Sequence, residues 1–196
     1  EILSKNRIEK EGYKLFINLI ISTIPVVIVG FSISYFKIDI IRTVEVIGWS
    51  TLIFGIILGI ADLNPKAFKK FDDIKLKHSI LVGFAQTLAL IPGVSRSGIT
   101  ITAARLLGFN RFDSAKISFF LAIPALLAAS FLGIYNIYKV GSEELNFLAI
   151  IAVIFSFIFS YITIALFLNF IKKFSLNVFI IYRLILSLFL LYIVYL

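Results

Sequence analysis

Long apolar segments, each about as long as a lipid bilayer is thick, dominate this chain. A bilayer core of about 30 Å is crossed by about 20 helical residues. A single soluble core could not bury so much apolar surface, because 60% of the residues are hydrophobic and the mean hydropathy is +1.04. We therefore predict an all-α polytopic membrane protein with about five transmembrane helices, at 15–36, 44–61, 117–138, 147–171 and 176–196.

A polar stretch interrupts the apolar sequence at 91–100, where the residues read IPGVSRSGIT. The apolar arms on either side, 79–90 and 101–109, are only about half as long as a membrane span. Helices of that length reach roughly the midplane, and irregular backbone at that depth is tolerated only where it lines a cavity or is buried in protein. We therefore predict a re-entrant helical hairpin over 79–109, with a polar cavity at mid-depth.

The residues of the predicted loop suit phosphate oxygens. Pro92 can end the first arm, and Gly93 and Gly98 allow backbone conformations that other residues avoid. We expect a second helix to begin near Gly98, so that its free amides and its dipole converge with the Arg96 guanidinium on one small volume. Alternatively, Arg96 pairs with a buried acid and only holds two helices together. Hydroxyl groups are supplied by Ser95, Ser97 and Thr100.

Further polar residues lie within the apolar segments. Arg183 is in the last one, where an ionisable residue is costly, so it either supports the site or snorkels to the interface. Gln86, on the first arm, either hydrogen-bonds the loop or a ligand or serves packing alone. We expect Thr102 and Ser118 to be helix-packing residues.

The charge pattern predicts the topology. A net charge of +8 would suggest nucleic acid in a soluble protein, but here the basic residues fall in short loops, as the positive-inside rule requires. Residues 1–14 and 62–77 are therefore predicted to be cytoplasmic, and 139–146 to lie outside. His78 is expected to be solvated or interfacial, and Glu45 to pair with Arg42. The absence of cysteine excludes disulfides and thiolate sites.

The sequence PGVSRSG followed by Thr100 closely resembles the second signature of the undecaprenyl-diphosphate phosphatases, bacterial integral-membrane enzymes also known for bacitracin resistance. Stretches at 24–30, 83–90, 118–124 and 181–183 look like that family too, in its order. The resemblance implies a multi-pass protein of the bacterial inner membrane. It would hydrolyse undecaprenyl diphosphate to undecaprenyl phosphate and inorganic phosphate, which recycles the lipid carrier of peptidoglycan synthesis.

The family also carries an earlier, glutamate-rich signature that runs into Pro-x-Ser-Ser-Thr-Gly-His, and this sequence does not contain it. Its single histidine, His78, does not match that position. The chain has no methionine, and a faint repeat places Ile-Pro early in apolar spans at 22–26 and 121–125. We therefore expect the C-terminal part of an inverted-repeat fold. Residues 1–14 would be a loop remnant and 15–196 a single transmembrane domain, inactive or nearly so unless the first signature is supplied.

The resemblance also implies roles for individual residues. Arg96 would clamp phosphoryl oxygens, with Ser95 as an alternative nucleophile to a hydroxyl of the first signature. A divalent cation, Mg²⁺ or Ca²⁺, would be held by that signature, and the pocket would open to the outer face. The other catalytic candidates are Ser97 and Thr100, and the substrate-binding candidates are Gly93, Gly98, Gln86 and Arg183.

A second class of function stays open at this point. A transporter or flippase of an anionic lipid or small anion would use the same broken helices and the same phosphate cradle. A lipid phosphatase of the acid-phosphatase type is disfavoured, because its signature needs a histidine where this chain has Thr102. The expected partners are a polyprenyl diphosphate lipid and membrane lipids, not nucleic acid, and homo-oligomerisation stays open.

Overall fold

The computed structural model describes residues 2–36, 42–64, 67–140 and 143–196. Within these ranges all regular elements are helical, apart from one isolated bridge between Lys69 and Phe109. Short 3₁₀ turns lie at Phe71–Asp73 and Leu88–Leu90. The α-helices are α1 (Ile2–Tyr35), α2 (Val44–Asp62), α3 (Leu76–Thr87), α4 (Arg96–Leu106), α5 (Arg111–Val140), α6 (Glu143–Lys173) and α7 (Asn177–Tyr195).

The described residues contain 5 helices that are long and apolar enough to cross a membrane, which confirms the predicted all-α polytopic architecture. These candidate spans are Gly12–Tyr35, Val44–Asp62, Arg111–Tyr135, Phe147–Lys173 and Asn177–Tyr195. Helix boundaries differ from expectation at α5 and α6, which begin at Arg111 and Glu143, and most of all at the N-terminus. The segment 1–14 was predicted to be a loop, but α1 already begins at Ile2. The Lys, Glu and Arg residues of the segment 1–14 are good helix formers, and they extend the apolar helix that follows.

Two short helices, α3 and α4, form the hairpin around the polar stretch. The first arm ends in the 3₁₀ turn Leu88–Leu90 ahead of Pro92, and Gly93 has a φ of +90°, a conformation that favours glycine. The second helix begins at Arg96, earlier than expected. It begins there because the Ser95 side chain caps it, accepting a hydrogen bond from the Gly98 amide at 3.2 Å.

The tip of the hairpin contacts α2 on the Val44 side of the middle of that helix. A Cβ on Gly93 would approach the carbonyl oxygen of Ile47 to 2.6 Å, and the Thr51 hydroxyl donates to the Gly93 carbonyl at 3.2 Å. At 1.5 Å per residue, Thr51 is about 10 Å from the Val44 end of a helix about 28 Å long. The loop therefore contacts α2 within about one helical turn of the middle of that helix, and its depth in the membrane stays a prediction.

Small residues allow the helices to approach closely. On α2, Gly48, Gly55 and Gly59 face α7, so that the two helices pack antiparallel. A Cβ on Gly83 of α3 would collide with the backbone carbonyl of Ser22 on α1. Two buried apolar clusters complete the packing; their members are Leu58, Ile101, Ala115, Ile171 and Leu176 in one, and Val82, Ala104, Phe109, Ile117 and Leu121 in the other.

Two polar residues outside the loop are placed differently from expectation. His78 is only 5% exposed, so the prediction of a solvated histidine is wrong, whereas the interfacial alternative stays a prediction. It is buried because its ring packs edge-on against Phe109 and its Nδ1 accepts a hydrogen bond from the Lys75 amide. The partner that the structure gives Glu45 is the Tyr195 hydroxyl, which donates to it at 2.6 Å, rather than Arg42.

Candidate functional site

Ser95 and Ser97 stand at the N-terminus of α4, where the chain leaves the loop. Their hydroxyl oxygens are 3.3 Å apart, within hydrogen-bond distance of each other. Because the Ser95 side chain accepts from the Gly98 amide, the cap fixes the position of this hydroxyl. The first amides of a helix have no partner within it and point along the positive end of the helix dipole. This end of α4 is therefore suited to an anion.

Arg183 reaches the loop from α7. Its Nη2 donates to the carbonyl of Gly93 at 3.2 Å, the same oxygen that accepts from Thr51. A Cβ on Gly98 would lie 2.8 Å from Arg183 Nη1, so the guanidinium lies directly against the first turn of α4. The residue is 9% exposed, and its Nε has no hydrogen-bond partner in the part of the chain that the structure describes. Of the two alternatives, the structure favours support of the loop over snorkelling.

A cavity of about 240 Å³ brings these groups together. Its polar end is formed by Ser95, Ser97, Gly98 and Arg183. Its apolar wall comes from α2, α4, α6 and α7, and consists of Leu58, Ile101, Phe167, Leu176, Phe179 and Tyr182. A cavity with one cationic, hydroxyl-bearing end and an otherwise apolar wall suits an amphiphile whose head is anionic.

Arg96 is next to this cavity in the chain but is not one of its lining residues. Its side chain is partly buried, and its Nη1 has no hydrogen-bond partner among the described residues. The described residues also offer it no ion pair. The structure therefore does not support the alternative in which Arg96 only joins two helices through a buried acid. Its guanidinium retains donors that can bind an anion.

Three other candidates lie away from the cavity lining. Thr100 is 1% exposed, and its hydroxyl is 2.7 Å from that of Ser118 and also bonds to the Arg96 carbonyl. Gln86 is fully buried, with both side-chain polar atoms unpartnered within the described ranges. Gly93 is at the hairpin tip, and its carbonyl anchors the loop to α2 and α7. Thr102 donates to the Gly98 carbonyl, in keeping with the packing role expected for it.

The lining residues do not fit a divalent cation by themselves. Mg²⁺ and Ca²⁺ prefer carboxylate and carbonyl oxygens, whereas the charged group in this cavity is a guanidinium, which repels a cation. Across the described ranges, no group of three or more His, Cys, Asp or Glu residues could hold a metal ion. We therefore derive no chemical step through a metal from these residues.

The sequence reasoning missed Thr51 and Gly55, which both position the loop. Thr51 bonds to the Gly93 carbonyl, and a Cβ on Gly55 would come within 3.4 Å of the Arg183 Cβ. The spacing of Gly48, Gly55 and Gly59 places small residues on one face of α2. That pattern is a recognised signal of close helix packing in membranes, and it could have indicated that α7 packs here.

Comparison with known proteins agrees with this architecture. The family profile described as bacitracin resistance protein BacA matches residues 1–189. The chain is 51% identical over 191 residues to the undecaprenyl-diphosphatase of Pelagibacter ubique, which covers 95% of this chain and 73% of that protein. It is 39% identical to the undecaprenyl-diphosphatase of Erythrobacter litoralis, over 87% of this chain and 66% of the relative. It is 38% identical to the undecaprenyl-diphosphatase of Dinoroseobacter shibae, over 98% of this chain and 73% of the relative. This multi-pass membrane protein therefore belongs to the BacA family of bacitracin resistance proteins.

Proposed function

We propose that this protein hydrolyses undecaprenyl diphosphate to undecaprenyl phosphate and inorganic phosphate, and that the diphosphate binds at the loop before α4. The observation that carries the proposal is the meeting of Arg183 with Ser95 and Ser97 at the polar end of an otherwise apolar cavity. A diphosphate needs cationic and hydrogen-bonding groups, and a prenyl chain needs an apolar environment. One cavity offers both in a chain of this family.

Arg96 and Arg183 both bind the negative charge of the diphosphate, from different positions. Arg183 is held by the Gly93 carbonyl through Nη2 and still has Nε without a described partner, so it can orient a phosphoryl group from a fixed position. Arg96 is at the first turn of α4 beside Ser95 and Ser97, and its Nη1 has no described partner, so it can add a second cationic donor at this terminus. Guanidinium groups in a water-poor site stabilise the charge that spreads over a transferring phosphoryl group.

In this proposal, Ser95 and Ser97 bind the substrate. The Ser95 hydroxyl is fixed by its capping bond and is near Ser97, but neither histidine nor carboxylate is among the residues that line the cavity. A hydroxyl needs such a base to act as a nucleophile. The groups that activate the nucleophile and hold the expected Mg²⁺ or Ca²⁺ would therefore lie outside the cavity lining. Thr100, buried against Ser118, is assigned to packing.

The hairpin tip lies in the outer half of the bundle, whereas the apolar wall of the cavity, with Leu58 and Leu176, lies toward the cytoplasmic ends of α2 and α7. Basic residues concentrate near the Asp62 end of α2, which the positive-inside rule places in the cytoplasm. The hairpin tip contacts α2 nearer its opposite end, at Thr51. The prenyl chain would extend along Phe167 and Phe179 toward the lipid.

The test is phosphate release from a C55 prenyl diphosphate. The purified chain is assayed as it is, and again with the N-terminal segment of the Pelagibacter ubique relative fused to it. Each form is compared with Arg96→Ala, and with Arg42→Ala as a matched control at an exposed arginine. We expect release in the extended form and a loss of about 100-fold in Arg96→Ala, the size found when one transition-state donor is removed. Arg42→Ala should leave the rate unchanged.

Two results would oppose the proposal. Tight binding of the diphosphate without phosphate release in either form would favour the transporter or flippase alternative. If Arg96→Ala and Arg42→Ala change phosphate release equally, the loop is not part of the active site.

A further inference from the structure

A second and larger cavity, of about 710 Å³, lies at the opposite end of the bundle from the hairpin tip. It is bounded by the end of α2, the start of α5 and the end of α6. Neither the loop 91–98 nor Arg183 lines it. Its lining includes Leu63, Phe68, Asn110, Arg111, Phe112 and Lys172.

The charges that meet at Asp62 beside this cavity do not cancel. One carboxylate, Asp62, receives both Nε and Nη2 of Arg111, at 2.7 and 3.0 Å, and also lies 3.4 Å from Arg105 Nε. Two guanidinium groups thus share a single negative charge, which leaves one positive charge in excess. The Arg111 side chain is still 40% exposed, so it presents part of this charge to the cavity.

Lys172 adds a third positive charge to a lining that holds two carboxylates, Asp62 and Asp113, so the lining carries a net charge of +1. Its Nζ lies 5.0 Å from the centroid of the Phe112 ring, and within the described ranges it forms no ion pair. The second acid of the lining, Asp113, accepts a hydrogen bond from the Asn110 amide at 2.5 Å, which fixes the carboxylate in place but leaves it charged. The acid is therefore engaged in the N-terminal turn of α5. The cavity retains a cationic side on which an anion is expected to bind.

The rim of the same cavity is apolar. Leu63 and Phe68 are each 80% exposed, although they lie beside charged groups at the ends of membrane-crossing helices. A free inorganic anion would gain nothing from such a rim. A membrane lipid would gain binding energy from both parts of the cavity, because its phosphate and the start of its acyl chains meet at this depth. Basic pockets between transmembrane helices on the cytoplasmic side are known to hold lipid headgroups.

We infer that this cavity binds the headgroup phosphate of an anionic glycerophospholipid, with Arg111 and Lys172 on the phosphate and Leu63 and Phe68 against the start of the acyl chains. Arginine suits the planar phosphate oxygens, and lysine adds a point charge. The site is separate from the proposed diphosphate site and does not depend on hydrolysis. It would hold the cytoplasmic ends of α2, α5 and α6 together in the membrane.

The test measures lipid binding by the full chain in detergent. Phosphatidylglycerol is added at increasing concentration, and its effect on the melting temperature is compared with that of phosphatidylcholine with the same acyl chains. Native mass spectrometry counts the lipids retained. Lys172→Gln is compared with Lys173→Gln, a matched control, because Lys173 is the exposed neighbour that does not line the cavity. Lys172→Glu provides a charge reversal that leaves the Asp62 pairs untouched.

We expect one phosphatidylglycerol to be retained per chain and to raise the melting temperature more than phosphatidylcholine does. Lys172→Gln should weaken its apparent affinity about fivefold, as expected for one interfacial lysine, and Lys172→Glu should weaken it further. Lys173→Gln should not weaken it. Equal losses in Lys172→Gln and Lys173→Gln, or equal effects of the two lipids, would overturn the inference. Equal stabilisation by inorganic phosphate alone would also overturn it, by showing a site for free anions.

Discussion

The guanidinium of Arg183 lies against Gly98: a Cβ at position 98 would stand 2.8 Å from Arg183 Nη1, closer than a real Cβ contact allows. The two residues belong to α7 and α4, and their contact joins the last helix to the loop that carries the proposed site. Glycine at position 98 is therefore explained by the space that the arginine needs. Its backbone is helical, so the conformational freedom we expected Gly98 to provide is not used.

Gly98→Ala should lower phosphatase activity while the protein still folds. The obstructing atom is the end of a flexible side chain, which can move away, but the guanidinium would leave its position at the polar end of the cavity. The loss of one charge-assisted hydrogen bond corresponds to a decrease in kcat/KM of about 10- to 100-fold. Phosphate release and the melting temperature are measured together. Gly133→Ala is the control, because nothing lies within 4 Å of its Cβ position. Equal activity in the two variants would contradict the assigned contact.

Thr100→Val should affect stability rather than catalysis. The substitution removes the hydroxyl that lies 2.7 Å from Ser118 Oγ in a fully buried position. Loss of a buried hydrogen bond costs about 1 to 3 kcal/mol, so the melting temperature should fall. The KM for the prenyl diphosphate should stay the same, whereas Ser95→Ala should raise it. If KM rises in Thr100→Val and the melting temperature does not fall, Thr100 contributes to substrate binding instead.

Asp62→Asn should destabilise the protein strongly. The Asp62 carboxylate is 2% exposed and is paired with both Arg105 and Arg111, so its neutralisation leaves two guanidinium groups facing each other. Removing one partner of a buried ion pair costs about 3 to 5 kcal/mol. Thermal unfolding in detergent provides the measurement, with Asp72→Asn as a control because Asp72 is exposed. Similar melting temperatures for the two variants would show that the pairing contributes little.

The stability of the protein should fall as the pH drops below the ordinary histidine pKa. Burial, followed by the charges of Lys69, Lys77 and Lys75, lowers the pKa of His78 below its usual value of 6.5. The unfolded chain therefore takes up a proton at a higher pH than the folded protein does. Above pH 6.5 both states are neutral at this residue and nothing is lost; below it, protonation favours unfolding.

Melting temperatures measured from pH 8 to pH 5 test this expectation. Protonation of His78 would also disrupt the hydrogen bond that its Nδ1 accepts from the Lys75 amide. In His78→Gln, the melting temperature should depend less on pH over the same interval. An unchanged pH dependence in this variant would mean that other groups are responsible.

Much of the architecture was predictable because it depends on local composition. A membrane span is recognisable from its length and hydropathy, so five helices and a hairpin of two short arms could be predicted. The left-handed conformation of Gly93 and the end of the first arm before Pro92 could be predicted from the residue types. The PGVSRSG stretch indicated a phosphate site because its residue types are unusual in an apolar region. Family membership follows from the same stretch and from the segments around it.

The sequence alone determined the number of spans, the hairpin and the residue types of the loop. Only the tertiary structure decided that Arg183 contacts Gly98, that Thr100 faces Ser118 and that the hairpin tip reaches the level of Thr51 on α2. It also decided that His78 is buried against Phe109. These relationships depend on which face each helix turns to its neighbour and on how far one helix is displaced along another. Packing between residues distant in the chain sets both, and local propensity and hydropathy do not encode them.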